Sequence, residues 1–293
     1  MRKPRTFELA SSIALVTGAS RGIGPVLAEA LARRGCHLAL AARDAAKLAE
    51  VAEQLRPLGV RVLTIPTDLN DRAQLHALLS RVQTELGEID VLVNNAAQEQ
   101  VWRLEQLTEA DIDGYMALNL TAPMQLTRLI LPSMLARGRG HVVNVSSTAS
   151  FGAAAFGETY GASKAGLLGF TRSLRASLKT LDHPVSASVI CPGFIADLGM
   201  YADMREASGV SAPALLGTCT SGEVATAMIQ AIEHDEPELI VGRRMQRLVI
   251  AIGTLLPRLM ERGTMLFGIN HMFLRVLRSG EARAASHAQK PLP

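Results

Sequence analysis

Ile13-Ala-Leu-Val-Thr17-Gly18-Ala-Ser-Arg-Gly-Ile-Gly24-Pro25 is the stretch whose reading decides the fold. Its first five residues are an uncharged, mostly apolar run, the pattern of a strand buried on both faces. Glycines follow at 18, 22 and 24. Gly18 lets the chain turn sharply. Gly22 lets backbone approach a ligand with no Cβ in the way, and Gly24 permits close packing of a helix on the strand. Pro25 falls in the first helical turn, where its missing N–H costs little. The start of such a helix offers free N–H groups and a partial positive charge, which suits a pyrophosphate. A merely structural glycine turn is the competing reading. Asn94-Asn95-Ala96-Ala97 weighs against it, because small residues recur there at the end of a later strand.

Outward from this turn, apolar runs alternate with helical patterns. Ala28 to Arg34 is helical and closes at Gly35. His37 to Ala42 is a second strand and Asp44 to Leu55 a helix. Arg61 to Ile65 is a third strand, followed by a helix from Arg72 to Leu86 that Gly87 closes. Val91 to Val93 is a fourth strand. Glu109 to Leu135 is mostly helical, His141 to Ser146 is a strand, and Tyr160 to Lys179 is helical. Val185 to Ile190 is a sixth strand stopped by Pro192-Gly193. Ser221 to Glu233 is a helix, and Glu238 to Val241 is a seventh strand. This order predicts an α/β fold, a doubly wound, mostly parallel seven-stranded sheet with helices on both faces. Ligands on such sheets bind at the carboxyl ends of the strands.

Composition narrows the function classes. Across 293 residues, 48% are apolar and 19% charged, enough to bury one large core. The net charge of +3 is uneven: residues 243–283 hold eight Arg and two Glu, which leaves the remainder negative. Nucleic-acid binding by the body is therefore not expected. Cys36, Cys191 and Cys219 have neither pair nor metal-ligand spacing. They read as small buried residues in a reducing cytoplasm, and no metal is expected. The basic N-terminus leads into no secretory apolar run.

The end of the second strand discriminates between NAD and NADP. An acidic residue there would hydrogen-bond the ribose 2′-hydroxyl and repel a 2′-phosphate. This chain has Ala41-Ala42-Arg43 instead, with Arg21 in the glycine turn. Two guanidinium groups suit a phosphate, so NADP(H) is expected over NAD(H). Asp44 reads as the cap of the next helix. Asp68 either contacts an adenine amino group or caps the helix that follows it.

Tyr160-Gly-Ala-Ser-Lys164 places a phenol and an ammonium on one helix face. A nearby Lys⁺ and an oxidised nicotinamide would lower the phenol's pKa, so that Tyr160 exchanges a proton while hydride moves. Ser147, at the end of the fifth strand, is placed to hydrogen-bond a substrate oxygen. Asn119 sits mid-helix, where propensity does not favour it, and a helix bulge with an ordered water would give it a purpose.

Together these motifs resemble the short-chain dehydrogenase/reductase superfamily, in its single-domain type with a C-terminal extension. The resemblance spans residues 10 to about 242. It implies a Rossmann-like catalytic domain over residues 1–242, holding cofactor and substrate together, and a basic, apolar helical extension over 243–293. It implies an NAD(P)-dependent enzyme that interconverts an alcohol and a carbonyl, as a homodimer or homotetramer. Tyr160 would be the general acid/base, and Lys164 would bind the nicotinamide ribose and tune Tyr160. Ser147 would orient the carbonyl, with Ser146 a weaker candidate for that role. Asn119 would hold a proton-relaying water. Cofactor contacts would fall on Gly18, Ser20, Arg21, Gly22, Ile23, Gly24, Arg43, Asp68, Leu69, Asn95, Ala96, Ala97, Tyr160, Lys164, Pro192, Gly193 and Ile195. Two departures stand out. Ala97 replaces a more usual Gly, and Asp197 replaces a Thr that touches the carboxamide, so its carboxylate either accepts from the amide or points into solvent. The rival from another class is an NADP(H)-binding sensor or scaffold without turnover. The intact Ser147, Tyr160 and Lys164 argue against it.

The substrate side is expected to be apolar, lined by Phe194, Met200, Tyr201, Met204, Leu215 and Leu216, with Phe151, Phe156 and Trp102 nearby. Residues 245–278 mix apolar residues with Arg, in uncharged runs shorter than the roughly 20 residues that span a bilayer. They either lie on an anionic membrane as amphipathic helices or, the favoured reading, pack on the core or a second subunit. Residues 280–293 are expected to be disordered.

Overall fold

The computed structural model describes residues 6–99, 101–152, 155–214, 216–266 and 268–288. Seven strands form one sheet: β1 (Ile13–Thr17), β2 (His37–Ala42), β3 (Val62–Pro66), β4 (Val91–Asn94), β5 (Gly140–Val145), β6 (Val185–Pro192) and β7 (Glu238–Val241). Their spatial order is β3-β2-β1-β4-β5-β6-β7, and every neighbouring pair is parallel. The chain leaves β1 in one direction, returns beside it with β4, and continues in the other. The crevice between β1 and β4 is thus the switch point at which such sheets bind ligands.

Alternate strand residues feed two cores. Ala14, Val16, Leu38, Leu40, Val91 and Val93 face helices α1 (Gly24–Ala32), α2 (Ala45–Leu55) and α8 (Ser221–Glu233), meeting Leu27, Leu31, Leu48, Met228 and Ile232. Ile13, Leu15, Ala39, Leu92 and Val142 face the other way. They meet Leu78 of α3 (Arg72–Glu85), Leu126 and Met134 of α5 (Ala122–Arg137), and Leu178 of α6 (Glu158–Thr180). β1 is buried along its whole length, which explains why its sequence is apolar without alternation.

The long helix expected from Glu109 is interrupted. α4 (Glu109–Met116) passes through a π-helical turn at Ala117–Thr121 before α5 begins. That turn is centred on Asn119, where the sequence had pointed to a bulge. Beyond β7 come α9 (Arg244–Leu255), α10 (Pro257–Leu266) and α11 (Ile269–Ala288). Met272 and Phe273 of α11 are buried against Val210 together with Phe194, Met204 and Phe156 of the body. The disorder expected from Gly280 is replaced by helix as far as Ala288, because Glu281-Ala-Arg-Ala-Ala is made of good helix formers. The last five positions of that expectation lie outside the described residues. Among the described residues, no helix is long and apolar enough to cross a membrane.

Candidate active site

The carboxyl end of the sheet opens into a cleft of about 1600 Å³. One half is floored by the glycine turn. Thr17 ties the two central strands together there: its hydroxyl accepts from the backbone N–H of Asn95 (3.0 Å) and Ala96 (3.1 Å) and donates to Val93 O (3.3 Å). Asn95 returns its amide to Thr17 O and Gly18 O, at 3.0 and 3.2 Å. Gly18 has φ +65°, and a Cβ there would lie 2.7 Å from the Ala96 Cα. A Cβ on Gly24 would lie 2.1 Å from Gly18 O. Glycine is therefore required at both positions, at Gly18 by φ and close approach and at Gly24 by helix packing. The turn presents bare backbone to the cleft, with Ser20, Arg21, Gly22 and Ile23 lining it. Such a cradle fits a dinucleotide pyrophosphate.

Arg43, Asp44, Lys47, Asp68, Leu69, Ala96 and Ala97 extend that half. Asp44 caps α2, its carboxylate accepting from Lys47 N at 3.1 Å. Asp68 does not cap α3. Asp71 does, accepting from Ala73 N and Gln74 N. Asp68 instead closes a tight turn by accepting from Asn70 N (3.0 Å), at the lining of the cleft.

The other half gathers the chemistry. Tyr160 and Lys164 descend from the first turns of α6, and Ser147 follows β5; all three line the cleft. Lys164 Nζ donates to Val145 O at 2.8 Å and lies 5.8 Å from the Tyr160 ring centre. The Ser147 hydroxyl reaches the Tyr160 phenol. Ser146 also lines the cleft, but its hydroxyl is engaged: it donates to the Lys164 carbonyl (2.9 Å) and pairs with Ser150 (2.7 Å). Asn119 and Gly24 are buried behind the cleft wall. The Asn119 amide donates to Gln98 O (2.9 Å) and Ser163 Oγ (3.1 Å) and accepts from Gln98 N (2.9 Å). These bonds engage the side chain that had been expected to hold a water.

Electrostatics reshape the acid–base expectation. Burial raises the Tyr160 pKa above its usual 10; the charge of Glu99 adds to the rise and the Ser147 hydrogen bond opposes it. Without the positive nicotinamide, Tyr160 is thus a phenol and not a phenolate. Burial also brings Lys164 down to about 8, against the favourable charges of Glu99 and Cys191. Glu99 itself is pushed up to about 7 by desolvation, with Lys164 pulling it down.

Pro192, Gly193 and Ile195 line the cleft where β6 ends. Gln246 of α9 fills the space beside Gly193, where a Cβ would meet its Oε1 at 2.6 Å. Asp197 is exposed and lines the cleft. It takes both the backbone N–H (2.9 Å) and the hydroxyl (2.6 Å) of Ser221 at the start of α8.

Of the apolar residues expected here, Phe194, Met200, Tyr201, Met204 and Leu216 line the cleft. Leu215 lies outside the described residues. Phe151 instead packs on Leu168, Val189 and Cys191, because a 3-10 turn at Thr148–Phe151 swings it onto the sheet. Phe156, at φ +63°, joins the α11 cluster, and Trp102 is 43% exposed. Sequence reasoning missed Glu99, Gln246, Ile269, Asn270 and Phe273, all of which line the cleft. Glu99 carried a signal, a carboxylate two residues beyond Asn95-Ala96-Ala97 at a strand end. The others become neighbours only through the folding back of the extension.

The short chain dehydrogenase family model matches residues 12–208, and the chain belongs to the short-chain dehydrogenase/reductase family. It is an oxidoreductase of the Rossmann-like nucleotide-binding kind. Ketoacyl reductase HetN of Nostoc sp. (strain PCC 7120 / SAG 25.82 / UTEX 2576) is 37% identical over 266 residues, 89% of this chain and 91% of that protein. That likeness extends outside the residues that the family model matches. A metagenomic short-chain oxidoreductase solved with NADP is 31% identical, with a TM-score of 0.68, over 80% of this chain and 98% of that one. A short-chain dehydrogenase/reductase from Burkholderia phymatum, solved with NAD, shares the fold at 24% identity and a TM-score of 0.75, over 88% and 96% of the two chains.

Proposed function

We propose that the protein interconverts an apolar alcohol and its carbonyl with NADP(H) in preference to NAD(H). The observation that carries this reading is the convergence of Ser147, Tyr160 and Lys164 in the cleft that the glycine turn floors. The bound nicotinamide supplies or accepts the hydride. Tyr160 donates its proton to the carbonyl oxygen in reduction and takes it back in oxidation. Its raised pKa suits the donor role at neutral pH. Ser147 orients the carbonyl oxygen, and Lys164 holds the nicotinamide ribose and favours the phenolate once the proton has left. A relay water would need a partner other than the Asn119 amide, which is engaged.

Arg21, Arg43 and Lys47 in the adenosine half favour a 2′-phosphate, in keeping with the NADP bound by the metagenomic relative. The test is carbonyl-dependent oxidation of NADPH and of NADH over a panel from short acyl ketones to steroids. A higher kcat/KM with NADPH is expected; an NADH preference contradicts the cofactor assignment, and no oxidation of either contradicts the enzymatic one.

We place the enzyme in the cytoplasm as a homodimer or homotetramer, in keeping with its three free, buried cysteines. Residues 245–278 also support peripheral contact with anionic lipid. Leu248, Leu255, Leu256, Met265 and Leu266 are exposed beside Arg244, Arg247, Arg258 and Arg262. Co-sedimentation with anionic liposomes at low salt tests that contact, and its absence removes it.

A further inference from the structure

The two halves of the cleft differ in charge: the nucleotide half carries three cations beside Asp44 and Asp68, and the substrate half is mostly acidic. Among the described residues the cleft's cations are Arg21, Arg43 and Lys47 in the nucleotide half, and Lys164 at the reacting centre. In the substrate half the charged side chains besides Lys164 are acidic. Glu158, Asp203, Glu206 and Glu261 stand exposed at the rim, and Glu99 is half-buried in the wall. The same half is roofed by the extension, which brings Ile269, Asn270 and Phe273 over Phe194 and Met204. Asn270 Nδ2 leans toward Thr264 Oγ1 at 3.4 Å. Its Oδ1 is buried without a hydrogen-bond partner among the described residues. A buried acceptor with no donor costs free energy that an incoming donor would recover.

Resting on the oxidoreductase reading above, we propose that the substrate half selects against anions. Its substrate is an apolar carbonyl or alcohol that is neutral or cationic. The end remote from the reacting carbon carries a hydrogen-bond donor, a hydroxyl or an ammonium, for Asn270 Oδ1. An anionic group entering this half meets Glu99 in the wall, and above about pH 7, where Glu99 is ionised, the two like charges repel. The rim carboxylates add a weaker repulsion that salt screens. Glu99 also remains compatible with catalysis, since its charge steadies the Lys164 ammonium.

The experiment uses a matched series of alkyl phenyl ketones ending in methyl, hydroxyl, ammonium or carboxylate. Binding to the NADPH-saturated full chain and NADPH oxidation are both measured. The carboxylate is expected to bind at least about tenfold more weakly than the hydroxyl compound. Glu99→Gln narrows that gap, chiefly through the carboxylate's Kd. The double rim variant Glu206→Gln/Glu261→Gln narrows it at low salt and has little effect at high salt. Asn270→Leu weakens the hydroxyl and ammonium compounds about threefold to tenfold relative to the methyl one. A carboxylate that binds as tightly as the alcohol overturns the anion selection. An Asn270→Leu variant that treats the methyl and hydroxyl compounds alike overturns the donor pairing. Both comparisons are read in Kd and hold without turnover, so the expected order of affinities with no oxidation of NADPH would sink the oxidoreductase reading and leave the selection standing.

Discussion

The nucleotide half of the cleft is built from what is adjacent in sequence, and the substrate half from what the fold brings from afar. Gly18, Ser20, Arg21, Gly22 and Ile23 are one turn, and Arg43 with Lys47 begins the next strand–helix junction. The opposite wall combines Glu99 after β4, Phe194 after β6, Met204 of α7 (Met200–Ser208), and Asn270 and Phe273 of α11. The first half is backbone-lined and carries Arg21, Arg43 and Lys47 beside Asp44 and Asp68, which fits a phosphate-bearing cofactor. The second is apolar and acid-rimmed, fitted to something else. The residues proposed to be catalytic, Tyr160, Lys164 and Ser147, sit on the seam, placed there by α6 and the end of β5.

Breaking the nucleotide half should have the largest effect. Gly24→Ala drives a methyl into Gly18 O, which stands 2.1 Å from that Cβ position. The helix must back away from the strand, with an expected loss of about 3 kcal/mol of stability and of NADPH binding. Urea unfolding and fluorescence titration check both, and an unaltered protein would show that the turn has slack. The sheet beneath both halves gives the next effect. His141 on β5 is fully buried against Ser188 Oγ at 2.8 Å, and burial lowers its pKa to about 4 from 6.5. The unfolded chain therefore binds more protons between those values, so this contribution is present above pH 6.5 and is lost as pH falls toward 4. The loss is up to about 3 kcal/mol. A Tm series across that window should slope downward toward acid for the wild type and less for His141→Gln; parallel slopes would remove His141 as the cause. The smallest effect sharpens the charge contrast. Arg43→Ala should raise the KM for NADPH about tenfold and leave that for NADH nearly unchanged. An equal change in both would mean that Arg43 does not read the 2′-phosphate.

That division also explains what was legible beforehand. The glycine turn, the seven strands and the Tyr160–Lys164 pair are local patterns, set by periods of two and 3.6 residues and by the steric needs of single positions. Even the interruption at Asn119 announced itself as an amide in a helix interior. Where local rules offered two answers, tertiary packing chose. Asp68 was read as either an adenine contact or the cap of α3, and the cap is Asp71, whose carboxylate accepts from Ala73 N and from the Gln74 side chain. Phe151 and Phe156 flank the site in sequence, yet a 3-10 turn and a positive φ send them elsewhere. The raised Tyr160 pKa without the nicotinamide was not legible for a related reason. Pair spacing shows the lysine, but the desolvation and the Glu99 charge exist only in the folded cleft. Asn270 and Phe273 lie more than a hundred residues from Tyr160, and nothing local marks them.

One comparison tests both halves at once and stands outside that ranking. Wild type and Tyr160→Phe are assayed side by side for NADPH binding and for carbonyl-dependent NADPH oxidation. Removal of the phenolic oxygen should lower kcat by about a thousandfold while the Kd for NADPH stays within about twofold. A variant that still oxidises NADPH at the wild-type rate would contradict the assignment of the proton transfer to Tyr160.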